Sequence, residues 1–221
     1  MRYKSVSIPP PIAKDGYYIS FASIAVAFLM YQISGPIFAA PLAVFGIFTL
    51  WFFRDPERNV PEEDNVIVAA ADGVIKSIED VNETRFLKEP AIRVVTFLSL
   101  FNVHINRAPI QGVIENIMYE KGKFYAAYLK KAEKNERNHV LITNNDVSVL
   151  VIQMVGSFAR RIACWVDVDE HVPKGGKFGL IRFGSRTDVL IPKSKIDRIL
   201  VKEGDRVKGG ETVIAITRIS R

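Results

Sequence analysis

From Tyr17 to Phe53 no residue carries a charge, a run far longer than the core helix of a soluble domain needs. Ser34-Gly35-Pro36 divides it into two apolar stretches of roughly 17 residues, each at the short limit for crossing a hydrocarbon layer of about 30 Å. The pattern predicts an N-terminal hydrophobic helical hairpin, residues 1–53, that associates with a membrane. Two short spans, a re-entrant hairpin, and one tilted span with an interfacial partner all satisfy it. Tyr17 and Tyr18 at one end, and Trp51, Phe52 and Phe53 at the other, have the aromatic character of a membrane interface. Arg2, Lys4 and Lys14 precede the run and Arg54 and Arg58 follow it, so the positive-inside bias puts both ends on the cytoplasmic side. A cleaved signal peptide is the rival reading. Phe38-Ala39-Ala40 offers small residues, but Pro41 follows and the apolar run continues, so the segment is expected to be retained.

Residues 1–53 contain only Arg2, Lys4, Lys14 and Asp15 as charges, leaving 27 of the 30 basic and 23 of the 24 acidic residues to positions 54–221. That mildly basic balance suits a domain held near anionic headgroups and gives no sign of a nucleic-acid partner. A lone cysteine, Cys164, excludes an intrachain disulfide and a cysteine-rich metal site. No metal is expected. The polar, proline-punctuated Arg54-Asp55-Pro56-Glu57-Arg58-Asn59-Val60-Pro61 reads as the junction to a second domain, 54–221.

Beyond it, short β-branched runs alternate with turn signals: 66–70, 91–98, 112–118, 140–143, 147–154, 161–168, 178–183, 187–191, 197–201 and 211–217. Helical periodicity is confined to 124–134. The fold class is mostly β with few helices. Glu170-His171-Val172-Pro173-Lys174-Gly175-Gly176 and Asp205-Arg206-Val207-Lys208-Gly209-Gly210 form a half-repeat, each part leading into an apolar strand. Such half-repeats resemble barrel-sandwich folds of the lipoyl or biotinyl-carrier type.

Four segments carry side chains suited to chemistry. Arg182-Phe183-Gly184-Ser185-Arg186-Thr187-Asp188 sets a Gly–Ser bond in a strand-rich region. Ala69-Ala70-Ala71-Asp72-Gly73 ends an apolar strand on a carboxylate, although Asp-Gly alone is a hairpin signal. Leu100-Phe101-Asn102-Val103-His104-Ile105-Asn106-Arg107-Ala108-Pro109 embeds one of only three histidines in an apolar run; by itself such a histidine is ordinarily structural. Lys134-Asn135-Glu136-Arg137-Asn138 reads alone as a solvated loop. In order and spacing these segments, with Phe52-Phe53-Arg54-Asp55-Pro56-Glu57-Arg58 and Ala159-Arg160-Arg161-Ile162, resemble the compact branch of the phosphatidylserine decarboxylase family. The likeness runs from about residue 17 to the C-terminal region. One departure stands out: longer family members carry a second histidine two residues before the proline, where this chain has Arg107.

The resemblance implies a proenzyme that cuts itself between Gly184 and Ser185. The Ser185 hydroxyl attacks the preceding carbonyl, the amide becomes an ester, and elimination followed by hydrolysis leaves a pyruvoyl group at residue 185. A serine hydroxyl needs a base to become nucleophilic. Asp72, His104 and Ser185 are therefore the expected catalytic set, on the logic of a hydrolase triad. The products would be a large chain, 1–184, and a small chain, 185–221, that stay associated, with further oligomerisation open. The covalent ketone would then serve as the electron sink for decarboxylating phosphatidylserine to phosphatidylethanolamine. His104 would protonate the carbanion, and Arg107, Arg160, Arg161 and Arg186 are candidates for the substrate phosphate. The expected location is the cytoplasmic side of the cell membrane. Two alternatives remain at this point: the same chemistry on an ether-linked archaetidylserine, and a non-enzymatic, membrane-tethered barrel-sandwich adaptor.

Overall fold

The apolar run folds as two helices, α1 (Lys14–Ser34) and α2 (Pro36–Phe52), in a computed structural model that describes residues 12–157, 161–181 and 185–218. Gly35 makes the break. Its φ of 80° lies in the left-handed region that glycine alone enters cheaply, and Pro36 opens α2 where its missing N–H costs nothing. Gly16 lies against Phe53 and Gly46 against Ser20 and Ile24, so the helices run antiparallel. A Cβ on Gly46 would come within 2.9 Å of Ile24 Cγ1, so glycine permits the close approach. At 1.5 Å per residue α1 is about 32 Å long and α2 about 26 Å. Gly16–Ser34 is long and apolar enough to cross a membrane, while Pro36–Phe52 is apolar but shorter. Phe21, Ile33, Ile37, Val44 and Ile47 are all more than 60% exposed. A water-soluble hairpin would hide them.

Contacts divide the chain into two units, Met1–Glu57 and Arg58–Arg221. The second is mostly β, with β1 (Val66–Val68), β2 (Gly73–Glu83), β3 (Glu89–Leu98), β4 (Ile105–Arg107), β5 (Gly112–Glu120), β6 (Arg137–Thr143) and β7 (Ser148–Val155). The chain continues through β8 (Ile162–Cys164), β9 (His171–Val172), β10 (Lys177–Ile181), β11 (Ser185–Pro192), β12 (Ile196–Ile199), β13 (Arg206–Val207) and β14 (Val213–Thr217). Eight strands form one curled half-barrel in the order β13-β2-β3-β11-β7-β6-β5-β9, and every pairing in it is antiparallel. Two three-stranded sheets, β1-β14-β12 and β4-β10-β8, complete the unit.

Strand alternation sorts the side chains. Val149 and Val151 of β7, Val189 and Ile191 of β11, and Val140 and Ile142 of β6 point into the principal core. Leu150, Ile152 and Leu190 point the other way, where a second cluster of Ala91, Leu141 and the partly buried Phe86 and Leu87 covers them. Burial on both faces explains why these strands read as nearly continuous apolar runs.

The half-repeat is real in three dimensions. Its two valines lie in β9 and β13, the opposite edge strands of the large sheet. Gly175 (φ 73°) and Gly210 (φ 77°) turn the chain into β10 and β14, each the middle strand of a small sheet. The two turns meet, since a Cβ on Gly210 would stand 3.2 Å from Gly175 Cα.

The structure corrects two expectations. Residues 124–134 form no α-helix; only a 3-10 turn covers Lys130–Lys134. Asn135 donates from Nδ2 to Tyr125 O and accepts the Tyr125 N–H on Oδ1 (2.7 and 2.8 Å), pegging the segment open as a loop. Strand β2, which is absent from the expected runs, follows directly on the turn that Asp72-Gly73 signals.

Candidate active site

Ser185 opens β11, the fourth strand across the large sheet, and pairs with Leu98 of β3 on one side and Val155 of β7 on the other. It is completely buried, and its Oγ has no hydrogen-bond partner among the described residues. An unsatisfied buried hydroxyl costs about 1–3 kcal/mol, so its presence here calls for an explanation. Gly184, the residue before it, lies outside the described residues, as does Arg160.

His104 is also fully buried. Its Nδ1 lies 2.9 Å from Asn102 O. A carbonyl only accepts, so Nδ1 carries the proton there and, in the neutral ring, Nε2 carries the lone pair. That orientation suits a general base.

Hydrogen bonds tie the His104 segment to residues on both sides of position 185. Upstream, Ile181 donates its N–H to His104 O at 3.2 Å, and β4 pairs with β10 through Ile105↔Leu180. Downstream, Asn106 Nδ2 donates to Thr187 Oγ1 at 3.0 Å. Ile181 before position 185 and Thr187 after it are thus both bound to the segment 104–106.

Asp72 sits in the turn between β1 and β2. Its Oδ2 accepts from Arg58 Nη2 at 2.9 Å and its Oδ1 from the Gly209 N–H at 2.8 Å. No hydrogen bond joins it to His104. The turn is nevertheless adjacent to β4, because Ala70 O accepts the Arg107 N–H at 2.8 Å. Arg107 is buried and donates Nη1 to Gly175 O at 3.1 Å. Gly210 makes room for it: a Cβ there would come within 2.9 Å of Arg107 Cδ.

The remaining arginines divide. Arg161 is exposed. Arg186 is buried on the face of β11 away from Ser185 and the principal core, bidentate to Asp188 (Nε–Oδ1 2.6 Å, Nη2–Oδ2 2.7 Å) and 3.0 Å from Glu133. Burial works against its charge, but Asp188 and Glu133 more than offset this and raise its pKa above the ordinary arginine value. Arg93 joins the cluster through Glu79 and Glu133. Arg186 is therefore committed to carboxylates that fix β11, and this is the physical reason to remove it from the phosphate candidates.

His139 and His171 lie elsewhere. His139 stacks on Phe86 at 5.1 Å, and burial lowers its pKa despite Glu120 beside it. His171 is exposed at the β9 edge. Cys164 is half-buried with Sγ 3.7 Å from Val166 O.

Sequence reasoning missed a chain of buried amides. Asn138 Nδ2 donates to Gln153 Oε1 (3.0 Å), Gln153 Nε2 to Asn106 Oδ1 (2.8 Å), and Asn106 Nδ2 to Thr187 Oγ1. All four residues are at most 2% exposed. The chain crosses from β6 and β7 to β4 and ends two residues from Ser185. Its signal in the sequence was Gln153, a polar residue in register with Val149 and Val151 on an otherwise apolar strand face.

Comparison with known proteins identifies the family. The family described as phosphatidylserine decarboxylase matches residues 45–215. A phosphatidylserine decarboxylase proenzyme of Carboxydothermus hydrogenoformans is 44% identical over 169 residues, covering 76% of this chain and 79% of its own. Proenzymes of the same description from Symbiobacterium thermophilum and Syntrophus aciditrophicus are 43% and 40% identical, covering 93% and 91% of this chain and 95% of theirs. With a family match over more than half its length and proenzyme relatives at 40–44% identity over most of the chain, the chain belongs to the phosphatidylserine decarboxylase family.

Proposed function

We propose that this chain is a self-processing carboxy-lyase that cuts itself before Ser185 and converts phosphatidylserine to phosphatidylethanolamine and carbon dioxide. The observation that carries the reading is the Ser185 hydroxyl, buried without a partner at the head of a central strand.

In self-cleavage, His104 Nε2 takes the Oγ proton as Oγ bonds to the carbonyl carbon of residue 184 and the amide C–N bond breaks. Elimination at residue 185 then frees the carboxylate of residue 184, and hydrolysis with loss of ammonia leaves the ketone. Asp72 is the proposed third member. Its carboxylate is held by Arg58 and Gly209 here and the Nδ1–H of His104 by Asn102 O, so direct contact requires His104 to exchange its Asn102 partner for a spare carboxylate lone pair. The orphaned Oγ fits a residue converted to a pyruvoyl group, which supplies an electron sink when formed. His104 stands to return a proton to the carbon that loses carbon dioxide. Arg107, Arg160 and Arg161 are the proposed phosphate ligands.

The small chain would carry β11–β14. These strands pair with β3 and β7, with β1, and with β2 of the large chain, which supports a stable two-chain product. The apolar hairpin, flanked by basic residues on both sides, supports a cell-membrane location with the β unit on the cytoplasmic side.

Intact-mass analysis of the purified protein tests the reading. Two fragments, 1–184 and 185–221, are expected, the smaller blocked to N-terminal sequencing and trapped by borohydride with an amine. Ser185→Ala should remain one chain. A wild-type protein that stays uncut and releases no carbon dioxide from phosphatidylserine overturns the proposal.

A further inference from the structure

The loop between β5 and β6, residues 121–134, has no part in the chemistry above, yet it is firmly built. Asn135 holds its end, donating to Val155 O at 2.8 Å as well as to Tyr125 O, and Val155 is the residue paired with Ser185. Glu133 reaches Arg186 at 3.0 Å, and the Tyr128 ring meets the Phe97 ring edge-on at 6.1 Å. Ala127 and Ala132 of the loop itself are buried. These anchors all lie at the Ser185 end of the sheet.

What the anchored loop shows to solvent is unusual. Phe124, Tyr125, Tyr128 and Leu129 are 37–61% exposed, and Lys121, Lys123, Lys131 and Lys134 are exposed among them. The segment has five lysines against one glutamate, and that glutamate is paired with Arg186 and Arg93. The outward charge is therefore basic. Leu100 and Phe101, just past the Leu98 that pairs with Ser185, are also exposed. Aromatic rings surrounded by lysines match the boundary of an anionic bilayer: the rings enter the headgroup region while the ammonium groups meet lipid phosphates. A water-facing loop gains nothing from four exposed apolar side chains held in place by this many anchors.

We propose that loop 121–134 is a second membrane contact, which seats the Ser185 end of the sheet on anionic phospholipid. The surface works with the apolar hairpin: the hairpin keeps the chain at the membrane, and the loop sets which end of the β unit faces the lipid. The inference deepens the lipid-substrate reading and rests on it, since a substrate that stays in its bilayer must be met by the reacting end of the domain.

Hydrogen exchange on the full-length protein in nanodiscs tests it, using discs of phosphatidylcholine alone and discs containing phosphatidylglycerol. Peptides covering 121–134 should exchange more slowly in the anionic discs, and Lys121→Glu/Lys123→Glu/Lys131→Glu/Lys134→Glu should abolish the difference. The same variant should raise KM for phosphatidylserine in vesicles about tenfold and leave turnover of a short-chain, monomeric phosphatidylserine unchanged. Equal exchange in the two discs, or equal loss on vesicle and monomeric substrate, overturns the proposal. Absence of carbon dioxide from both substrates with the wild-type protein would instead defeat the decarboxylase reading, while the exchange result would still decide the membrane contact.

Discussion

Gln153→Leu isolates the buried amide chain. Gln153 is fully buried, accepts from Asn138 Nδ2 at 3.0 Å and donates to Asn106 Oδ1 at 2.8 Å. Leucine is close in volume, so overpacking and cavity effects are small. The main cost comes from the neighbours, because one donor and one acceptor lose their partners in a dry core. At about 1–3 kcal/mol for each stranded group, less about 1 kcal/mol for burying an apolar side chain instead, the net loss is roughly 1–5 kcal/mol. For a unit of this size 1 kcal/mol shifts the melting temperature by about 2–4 °C, so a fall of roughly 2–20 °C is expected. Thermal unfolding of the mature protein in detergent, followed by circular dichroism, measures it. Adding Asn138→Leu removes one stranded group, and the double variant should recover about half of the loss. A fall below about 2 °C for the single variant, or a double variant less stable than the single, would refute the reasoning that unpaired amides dominate here.

Other outcomes test the site and the fold. His104→Ala should slow self-cleavage by about two to four orders of magnitude, the usual contribution of a positioned base, read as accumulation of the uncut chain on a denaturing gel; cleavage at the normal rate removes His104 from the mechanism. Asp72→Asn keeps the shape but loses the charge facing Arg58 (2.9 Å). It should slow cleavage as well as lower the melting temperature, and a purely thermal effect would leave Asp72 a structural anchor. Gly210→Ala places a methyl group 2.9 Å from Arg107 Cδ at a φ of 77°, and a destabilisation of about 1–3 kcal/mol should follow. Burial opposes the charge of Glu83, but the N–H groups of Arg85, Leu87 and Phe86 outweigh it and hold the carboxyl below its ordinary range. A depressed folded pKa stabilises above the unfolded value and loses its effect as pH falls through the folded one. The melting-temperature gap between wild type and Glu83→Gln should therefore be constant near neutrality and close on acidification below the ordinary glutamate pKa; a gap unchanged at low pH would contradict this.

Much of the architecture was legible because it rests on local signals. The uncharged run and Ser34-Gly35-Pro36 gave the helix pair, and β-branched runs such as 147–154 gave strands, since burial on both faces leaves little room for polar residues. Strand β2 escaped notice for the opposite reason. Its exposed and half-buried Lys76, Glu79, Asp80 and Glu83 mimic a loop, and only pairing with β3 makes them a strand. The 124–134 segment has helix-forming residues, but Asn135, bonded to Tyr125, outweighs their local preference. Ser185 and His104 were visible as motifs. The commitment of Arg186 to Asp188 was not, because which side of a strand a residue faces depends on a register that sequence spacing leaves open.

The position of Ser185 has a consequence for maturation. A cut at this point would create an amino terminus that is already laced between Leu98 and Val155, with three further strands of the same fragment stitched into their neighbours. The new end would be born in its working place, with no docking step to follow. Fragments from two differently labelled molecules, mixed after maturation, should keep their original partners for as long as the fold survives.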